Sequence, residues 1–322
     1  MRVLALVPGG IGDQVLFFPT LAHIKQEYPQ AKIDVMVEPR SKSAYRICAQ
    51  VNEVLVFDYK DNNGLADWLN LTGMIRDREY EVALSLGRRW AIGFLLWLNG
   101  IPQRIGYETG TYRFLSRTVP LNLEQYAAWM YHDLVKGLEI KTPCPKIQDS
   151  INVPTQDIAW AEGKQTELGI KDTGYILIHG GSSNLAKRQG IDKIYPVEKW
   201  KQVMENIQTR QPDIPIVIVQ GPEDQDWVKQ IQGLVGNLRV VAPDDIGKLA
   251  AMIAGANLMI CTDSAPMHLS IAVDTYTVAL FGPTNAAKLL PPDQNKFIGV
   301  QSATNNIADI APEEILKQIW RD

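Results

Sequence analysis

The sequence predicts an α/β fold with two doubly wound, Rossmann-like domains facing each other across a cleft. Short apolar runs of strand type alternate with stretches of helical apolar spacing, and this alternation restarts in the second half of the chain. The length of 322 residues also favours two domains, because a single core rarely grows that large. We expect an N-terminal domain over residues 1–165 and a C-terminal domain over residues 166–322.

The N-terminal half opens with a strand at 2–7, a glycine-rich turn at 8–12, a helix at 13–28 and a strand at 32–37. Such a βαβ opening is typical of a parallel, doubly wound sheet. The remaining elements expected in this half are strands at 54–57, 82–86, 104–107 and 150–154, and helices at 64–78, 91–98 and 125–138.

The C-terminal half repeats the alternation after a helix at 157–168. The expected strands are 175–179, 214–220, 238–241, 257–261 and 277–281. The expected helices are 196–209, 224–234, 246–254, 266–273 and 312–320. In such sheets ligands bind at the carboxyl ends of the strands, so the loops at that edge are the first candidates for a site.

Composition excludes several classes of protein. A net charge of -4 argues against a general nucleic-acid binder, which needs a basic surface. The three cysteines are far apart and form no Cys-x-x-Cys pair, so they suggest neither a zinc site nor a disulfide framework, and they fit a reducing cytoplasm. The longest apolar helix, 91–98, is too short to cross a bilayer, which takes about 20 residues, but it could rest on a membrane surface.

The stretch from Cys261 to Thr284 carries the strongest site signal. A short apolar strand runs into Asp263-Ser264, and Pro266 occupies the first turn of the helix that follows. The positive end of a helix dipole and its unpaired N–H groups favour phosphate, so we predict a phosphate-binding loop. The simpler alternative is an ordinary strand-turn-helix in which Asp263 and Ser264 only cap the helix.

The glycine-rich turn near the N-terminus supports two interpretations. The run from Gly10 to Val15 resembles a dinucleotide fingerprint up to Val15, and Glu38 could bind a ribose, which keeps a nicotinamide-dependent oxidoreductase open. However, Asp13 would repel a pyrophosphate, and a carboxylate at this place suits general-base catalysis. A third possibility is that Asp13 caps a helix.

Charged residues follow two strands of the C-terminal half. Lys187, Arg188 and Lys193 lie in the loop after strand 175–179, and Lys193 is the best candidate to meet an anion. Glu223 ends strand 214–220, where an acid commonly receives ribose hydroxyls.

The neighbouring Asp224 and Asp226 have the Asp-x-Asp spacing of metal-dependent sugar transferases. We expect no metal here, because acids in the first turn of a helix are favoured by its dipole alone and nearby cations could neutralise a diphosphate.

Five segments together resemble glycosyltransferase family 9, the heptosyltransferase family of lipopolysaccharide assembly. They are Gly12-Asp13 with Pro19-x-Leu21, the segment from Lys193 to Trp200, Gly221-Pro222-Glu223, the segment from Asp263 to His268, and the segment from Phe281 to Thr284. Two departures from the family pattern are Ala265 in place of Gly and Tyr195 in place of Trp.

The resemblance implies a GT-B architecture and an inverting transfer from a nucleotide sugar such as ADP-heptose to lipopolysaccharide or another glycan or glycolipid, without cofactor or metal. Asp13 would be the catalytic base. The donor-binding residues implied are Gly12, Lys193, Glu223, Asp263, Ser264, Ala265, His268, Gly282 and Thr284.

Arginines of the N-terminal half suggest how an acceptor is recognised. The group, with interspersed aromatic residues, consists of Arg88, Arg89, Arg104, Arg113 and Arg117. We expect Arg88 and Arg113 to bind an anionic or glycolipid acceptor at the inner face of the membrane, where the otherwise cytoplasmic protein would dock peripherally. The alternative is that these arginines only cover a solvated surface. A non-catalytic nucleotide-binding protein of the same fold and a sugar-nucleotide epimerase remain alternatives.

Overall fold

The chain divides into two compact units, Met1–Asn152 and Val153–Asp322. The structure is a computed structural model that describes residues 1–58, 64–109, 112–181, 193–292 and 295–320. Each unit contains a six-stranded sheet in which every neighbouring pair of strands is parallel. The predicted α/β class with two doubly wound sheets is therefore confirmed.

The sheet of the first unit has the strand order β3-β2-β1-β4-β5-β6. Its central strand carries five buried apolar residues in succession, as expected for a parallel strand covered on both faces. The strands are β1 (Arg2–Val7), β2 (Lys32–Val37), β3 (Glu53–Val56), β4 (Val82–Ser85), β5 (Gln103–Tyr107) and β6 (Arg117–Val119).

The helices of the first unit are α1 (Ile11–Glu27), α2 (Leu65–Arg76), α3 (Trp90–Leu98) and α4 (Ala127–His132). Helices α2 and α3 bury Leu71, Ile75, Leu95 and Leu96 in one apolar cluster with Leu4 of β1. This cluster holds the two helices on the sheet, and α1 begins directly after β1, where it positions the glycine-rich turn.

The sheet of the second unit has the order β12-β11-β10-β7-β8-β9. The strands are β7 (Ile176–His179), β8 (Ile216–Val219), β9 (Arg239–Val241), β10 (Leu258–Thr262), β11 (Thr277–Phe281) and β12 (Phe297–Gln301). The helices are α5 (Thr155–Glu167), α6 (Val197–Arg210), α7 (Gln225–Leu234), α8 (Ile246–Ala254), α9 (Ala265–Ala272), α10 (Ala286–Leu289) and α11 (Pro312–Trp320).

The structure differs from the predicted elements in several places. The single helix expected at 125–138 is α4 followed by a 3₁₀ segment, Asp133–Leu138, and the strand expected at 150–154 is absent from the described residues. Strands β6 and β12 were not predicted, because one is short and the other alternates weakly. The division between units falls at 152/153 rather than at 165/166, since α5 packs on α8 of the second unit.

Candidate functional site

Asp13 occupies the first turn of α1, and both of its carboxylate oxygens accept hydrogen bonds. Gly10 N–H donates to Oδ2 over 2.7 Å, which is one half of a capping box, and the Tyr131 hydroxyl donates to Oδ1 over 2.8 Å. A side chain at Gly9 would not fit, because its Cβ would lie 2.3 Å from Oδ2. We call Asp13, Gly9, Gly10 and Tyr131 the acid site.

The acid site does not favour the dinucleotide interpretation of this turn. In a dinucleotide-binding loop the backbone N–H groups face a pyrophosphate, but here Gly10 N–H already binds Asp13. The proposed ribose ligand, Glu38, is buried, accepts a hydrogen bond from Gly9 N–H over 3.2 Å and pairs with Arg40 over 2.8 Å. Glu38 therefore fixes the turn.

Tyr131 and Arg88 complete the surroundings of Asp13. Burial, followed by the Asp13 charge, raises the pKa of Tyr131 well above its ordinary value, so the phenol keeps the proton that it donates. The charge of Arg88 opposes this rise, and it also opposes the rise in the pKa of Tyr107 that burial causes. The structure thus brings the predicted acceptor residue Arg88 close to a hydrogen-bond partner of Asp13.

Ser264 is the N-cap residue of α9, but within the described residues its side chain makes no capping hydrogen bond. Its Oγ lies 3.2 Å from His179 Nδ1 and 3.1 Å from the Thr262 carbonyl oxygen. On the other side of the ring, His179 Nε2 lies 3.0 Å from Asp224 Oδ2. The interpretation of Ser264 as a mere helix cap is therefore wrong, and its hydroxyl belongs to a hydrogen-bonded chain.

Two glycines after β7 allow this chain to form. A Cβ at Gly181 would lie 1.8 Å from Asp224 Oδ1, and one at Gly180 would lie 2.2 Å from the Trp227 ring. Asp224 also accepts a hydrogen bond from Gly221 N–H over 2.9 Å, which holds it at the end of β8. The carboxyl ends of β7, β8 and β10 therefore meet around His179.

Lys193 and Asp263 form an ion pair beside Ser264. Lys193 Nζ donates to Asp263 Oδ2 over 2.6 Å, and Asp263 is buried while Lys193 is half-buried. An ammonium group has three donors, so the other two can serve a second anion. We call His179, Lys193, Asp224, Asp263 and Ser264 the anion site.

Three further residues of the predicted donor set lie after β10 and β11. Ala265 is the first residue of α9 and does not have a positive φ, so an alanine is tolerated where the family has glycine. Gly282 is needed for packing, since a Cβ there would lie 2.7 Å from Ile307 N. The Thr284 hydroxyl oxygen is buried and has no partner among the described residues, as expected for a ligand contact.

The other predicted residues of this unit lie nearby. Glu223 is exposed after β8, and His268 is buried in the first half of α9. Gly12 lies in the first turn of α1, in the other unit. Lys187 and Arg188 lie outside the described residues.

Tyr195, which stands where the family has tryptophan, is fully buried. Its hydroxyl donates to the Ile310 carbonyl over 3.0 Å, and its ring meets Trp200 edge-on. This departure from the family pattern therefore lies in the core of the unit.

Among the residues that the structure describes, no group of three or more His, Cys, Asp or Glu side chains is placed to hold a metal ion. Asp224 and Asp226 do not act together: Asp224 is buried against His179, whereas Asp226 is exposed in the first turn of α7.

Sequence reasoning missed His179, Tyr131 and the role of Asp224. The signal for His179 was its place as the last residue of a buried strand followed by two glycines, at the edge where ligands bind. Tyr131 gave no local signal, because its contact with Asp13 joins residues more than a hundred positions apart.

The first unit thus has a positioned carboxylate in the turn after β1, and the second has a buried polar chain at the start of α9. The chain belongs to glycosyltransferase family 9 (heptosyltransferase), whose model matches residues 68–319. The match begins after Asp13, so the role of that residue stays a prediction.

Relatives of two kinds resemble this chain. Lipopolysaccharide heptosyltransferase 3 of Escherichia coli is 26% identical, over 88% of this chain and 83% of its own length. The photosynthetic NDH subunit of subcomplex B 1 from the chloroplast of Arabidopsis thaliana is 24% identical, over 96% of this chain and 71% of its own length.

Solved structures agree in fold. ADP-heptose heptosyltransferase II of E. coli has a TM-score of 0.79 with 19% identity, covering 100% of this chain and 98% of the other. The UDP-GlcNAc 2-epimerase of Methanocaldococcus jannaschii has a TM-score of 0.59 with 11% identity, covering 99% of this chain and 92% of the other. The fold is thus that of the heptosyltransferases, of GT-B type, as predicted.

Proposed function

We propose that this chain is an inverting glycosyltransferase that moves a heptose-like sugar from a nucleotide-diphosphate donor such as ADP-heptose to lipopolysaccharide or another glycan or glycolipid. The observation that carries the proposal is the anion site, where Lys193, Ser264 and the positive end of α9 meet in a chain of family 9. Its relatives include a lipopolysaccharide heptosyltransferase.

In the proposed reaction, Asp13 accepts the proton of an acceptor hydroxyl while that oxygen forms a bond to the anomeric carbon of the donor. The bond from that carbon to the diphosphate breaks on the opposite face, and its electron pair leaves with the nucleotide. Lys193 and the N–H groups at the start of α9 stabilise the charge that develops there, so neither a metal nor a covalent intermediate is needed. Tyr131 orients Asp13 by its hydrogen bond.

A ligand screen tests donor recognition. ADP, GDP, UDP and ADP-heptose are added separately, and the melting temperature is measured. A ligand present at 100 times its Kd stabilises the native state by about 2.7 kcal/mol, so the true nucleotide should raise the melting temperature clearly above the others. If no nucleotide shifts it at millimolar concentration, donor binding is absent and the proposal fails.

A second candidate function, a non-catalytic subunit of a protein assembly, is favoured by the resemblance to the plant NDH subunit. Incubation with ADP-heptose and a lipopolysaccharide core lacking its heptoses, followed by mass spectrometry of the glycan, separates the two. Transfer supports the enzyme, whereas nucleotide binding without transfer or donor hydrolysis supports the second candidate.

For the acceptor, we propose that Arg88 binds an anionic group beside Asp13. Its charge acts on Tyr107 and Tyr131, and Tyr131 touches the proposed base. Elsewhere in this unit Arg104 donates to the Phe114 carbonyl, and Arg117 pairs with Glu139. Arg113 is exposed, and the ring of the next residue, Phe114, contacts Phe94 and Trp97 of α3.

We also propose that α3 docks on an anionic membrane. Trp90, Trp97 and Leu98 are 56%, 51% and 45% exposed, and Phe94 stacks on Trp97 between them. Residues 82–107 contain three arginines and no acidic residue, although the whole chain has a net charge of -4. Exposed tryptophans beside arginines fit the interface of an anionic bilayer. No helix in the described part of the chain is long and apolar enough to span a membrane.

Vesicle sedimentation tests this docking surface. The chain should sediment with phosphatidylglycerol vesicles and only weakly with phosphatidylcholine vesicles, and the double change Trp90→Gln with Trp97→Gln should abolish binding. Trp129→Gln, which alters a 38% exposed tryptophan on α4, is the matched control and should bind normally. Equal binding by both variants would contradict the assignment of α3.

A further inference from the structure

A buried chain of three side chains lies behind the proposed diphosphate site. Asp224 and His179 are 6% and 5% exposed, and their contact of 3.0 Å continues to Ser264 Oγ over 3.2 Å. Because a carboxylate only accepts hydrogen bonds, Nε2 of the ring carries the proton that faces Asp224. The protonation of Nδ1 then decides the direction of the hydrogen bond to Ser264.

The single hydrogen of the Ser264 hydroxyl can be donated to one of three acceptors: His179 Nδ1, the Thr262 carbonyl oxygen or a ligand. If His179 is neutral, Nδ1 is an acceptor and the hydrogen points at the ring. If the ring is an imidazolium, Nδ1 donates to Oγ, and the hydrogen is released toward the Thr262 carbonyl, 3.1 Å away, or toward a ligand. A phosphate oxygen is an acceptor, so only in the second state can Ser264 donate to it without leaving the Nδ1 lone pair facing Oγ unpaired.

We propose that His179 is a positioning residue that takes up a proton from solvent when a nucleoside diphosphate binds, and so turns the Ser264 hydroxyl toward the phosphate. This inference rests on the proposed function, because it assumes that the diphosphate meets Ser264. The imidazolium is held between two negative groups in the bound state, the Asp224 carboxylate and, through Ser264, the phosphate. It also stays in place behind the leaving diphosphate during transfer.

The other charged and titratable groups around His179 are compatible with this proton. Asp263, next to Ser264, is neutralised by Lys193 over 2.6 Å. Cys261 pairs with His179 in the register of β10 and β7, and burial raises the pKa of its thiol well above the ordinary value, so it is uncharged. Glu223, after β8, adds a further negative charge at the same edge of the sheet.

Calorimetry measures the proton directly. ADP is titrated at pH 8 into the full chain in two buffers of different ionisation enthalpy; the terminal phosphate of ADP, with a pKa of about 6, is already ionised there. The difference between the two observed heats, divided by the difference in buffer ionisation enthalpy, should give an uptake approaching one proton per bound ADP. With full uptake the Kd should rise by about tenfold for each pH unit above 8.

Three variants identify the group that takes up the proton. His179→Asn places an amide N–H near the position of Nδ1 but loses the contact with Asp224, so we expect weaker, still measurable ADP binding with no proton uptake and no pH dependence. Ser264→Ala leaves His179 and Asp224 intact but removes the hydroxyl, so uptake should also be lost, whereas Ser264→Thr keeps a hydroxyl and should retain it. Melting temperatures confirm that each variant is folded.

The outcomes separate this inference from the function on which it rests. ADP binding without buffer-dependent heat in the unmodified chain, or unchanged uptake in His179→Asn, overturns the role of His179 and leaves the transferase proposal standing. If His179→Asn does not fold, unchanged uptake in Ser264→Ala overturns that role equally. If ADP, GDP and UDP all fail to bind, the proposed donor site and this inference are both rejected.

Discussion

The two units have the same sheet topology, but the helix that follows a middle strand begins differently in each: α1 after β1, and α9 after β10. Both sheets arrange their six strands in the same doubly wound order, with β1 in one sheet at the place of β7 in the other. In the first unit the chain supplies its own anion, since Asp13 binds Gly10 N–H at the start of α1. In the second, Ser264 turns away from the start of α9 toward His179.

This difference accounts for the two different roles that we propose for one fold. A helix start that is closed by a carboxylate has no use for an external phosphate, but it presents a fixed acid with lone pairs left for a proton. A helix start that is not closed by its N-cap side chain keeps its N–H groups for an anion. The same kind of strand-turn-helix unit thus provides the proposed base in one place and the proposed phosphate site in the other.

The largest effect that tests this comparison is expected from Asp13→Asn. The amide has the same shape but cannot accept the proton of an acceptor hydroxyl, so kcat should fall by about 10³-fold, within the range for loss of a general base. ADP affinity, measured by calorimetry, should stay within about twofold, because the anion site belongs to the other unit.

Ser264→Ala is the counterpart, with weakened ADP binding as its main result. If Asp13→Asn weakens ADP binding as strongly as Ser264→Ala does, the division of roles between the two units is wrong. A kcat that stays within threefold of the original would instead make Asp13 a purely structural residue of the α1 capping box.

Much of the fold followed from the sequence, because the buried parallel strands are continuous apolar runs with clear turn residues between them. Strand β10 and helix α9 were predicted nearly to the residue, since Asp263, Ser264 and Pro266 mark the helix start. The prediction of a single α-helix at 125–138 failed because the second half of this stretch adopts 3₁₀ geometry. Glu139, which follows it, has a left-handed φ of 66°. Apolar spacing alone does not separate these two helix types.

The candidate site was predictable where one short segment carries it, and less so where distant segments meet. Lys193 and Asp263 were each predicted as donor ligands, but their ion pair was not. The sequence showed the Asp-x-Asp spacing of Asp224 and Asp226, but it did not show that the fold turns Asp224 inward to His179. Which of two neighbouring acids is buried depends on tertiary packing.

Gly181→Ala should have the second largest effect, this time on stability. The added Cβ would lie 1.8 Å from Asp224 Oδ1, so unit 2 must shift to accommodate it, at a cost of about 3 kcal/mol. Gly233→Ala is the matched control: a Cβ added at this position of α7 would meet nothing within 4 Å beyond its own helix backbone, so the change should be neutral or slightly stabilising. Urea unfolding measures both. Equal stability of the two variants would show that the turn after β7 is not tightly packed.

The buried histidine pair of the first unit contrasts with His179, which faces a carboxylate. His23 Nδ1 and His132 Nε2 lie 2.6 Å apart, and burial, followed by the charge of His23, lowers the pKa of His132 to about 4. The unfolded chain binds this proton near pH 6.5, so below that pH the unfolded state gains protons that the folded state does not. Unit 1 should lose about 2 kcal/mol between pH 6.5 and pH 5.

Hydrogen exchange of the amides of α1 and α4 reports on this unit alone and measures the loss. His132→Gln removes the titrating group, so the variant should show a smaller acid dependence than the unmodified chain. An identical dependence in the two proteins would assign the acid sensitivity to other groups.

Tyr131→Phe should have the smallest effect and sharpens the comparison at the acid site. It removes one of the two hydrogen bonds that orient Asp13 and leaves the bond from Gly10 N–H in place. A neutral donor to a charged acceptor contributes about 1.5 kcal/mol, so kcat should fall by about tenfold with ADP affinity unchanged. Tyr107→Phe, which loses only a bond of 2.8 Å to the Met130 carbonyl, is the matched control for removing a buried phenol hydroxyl. A similar fall in kcat for both variants would mean that Tyr131 acts through packing, and that Gly10 alone holds the Asp13 carboxylate in its working position.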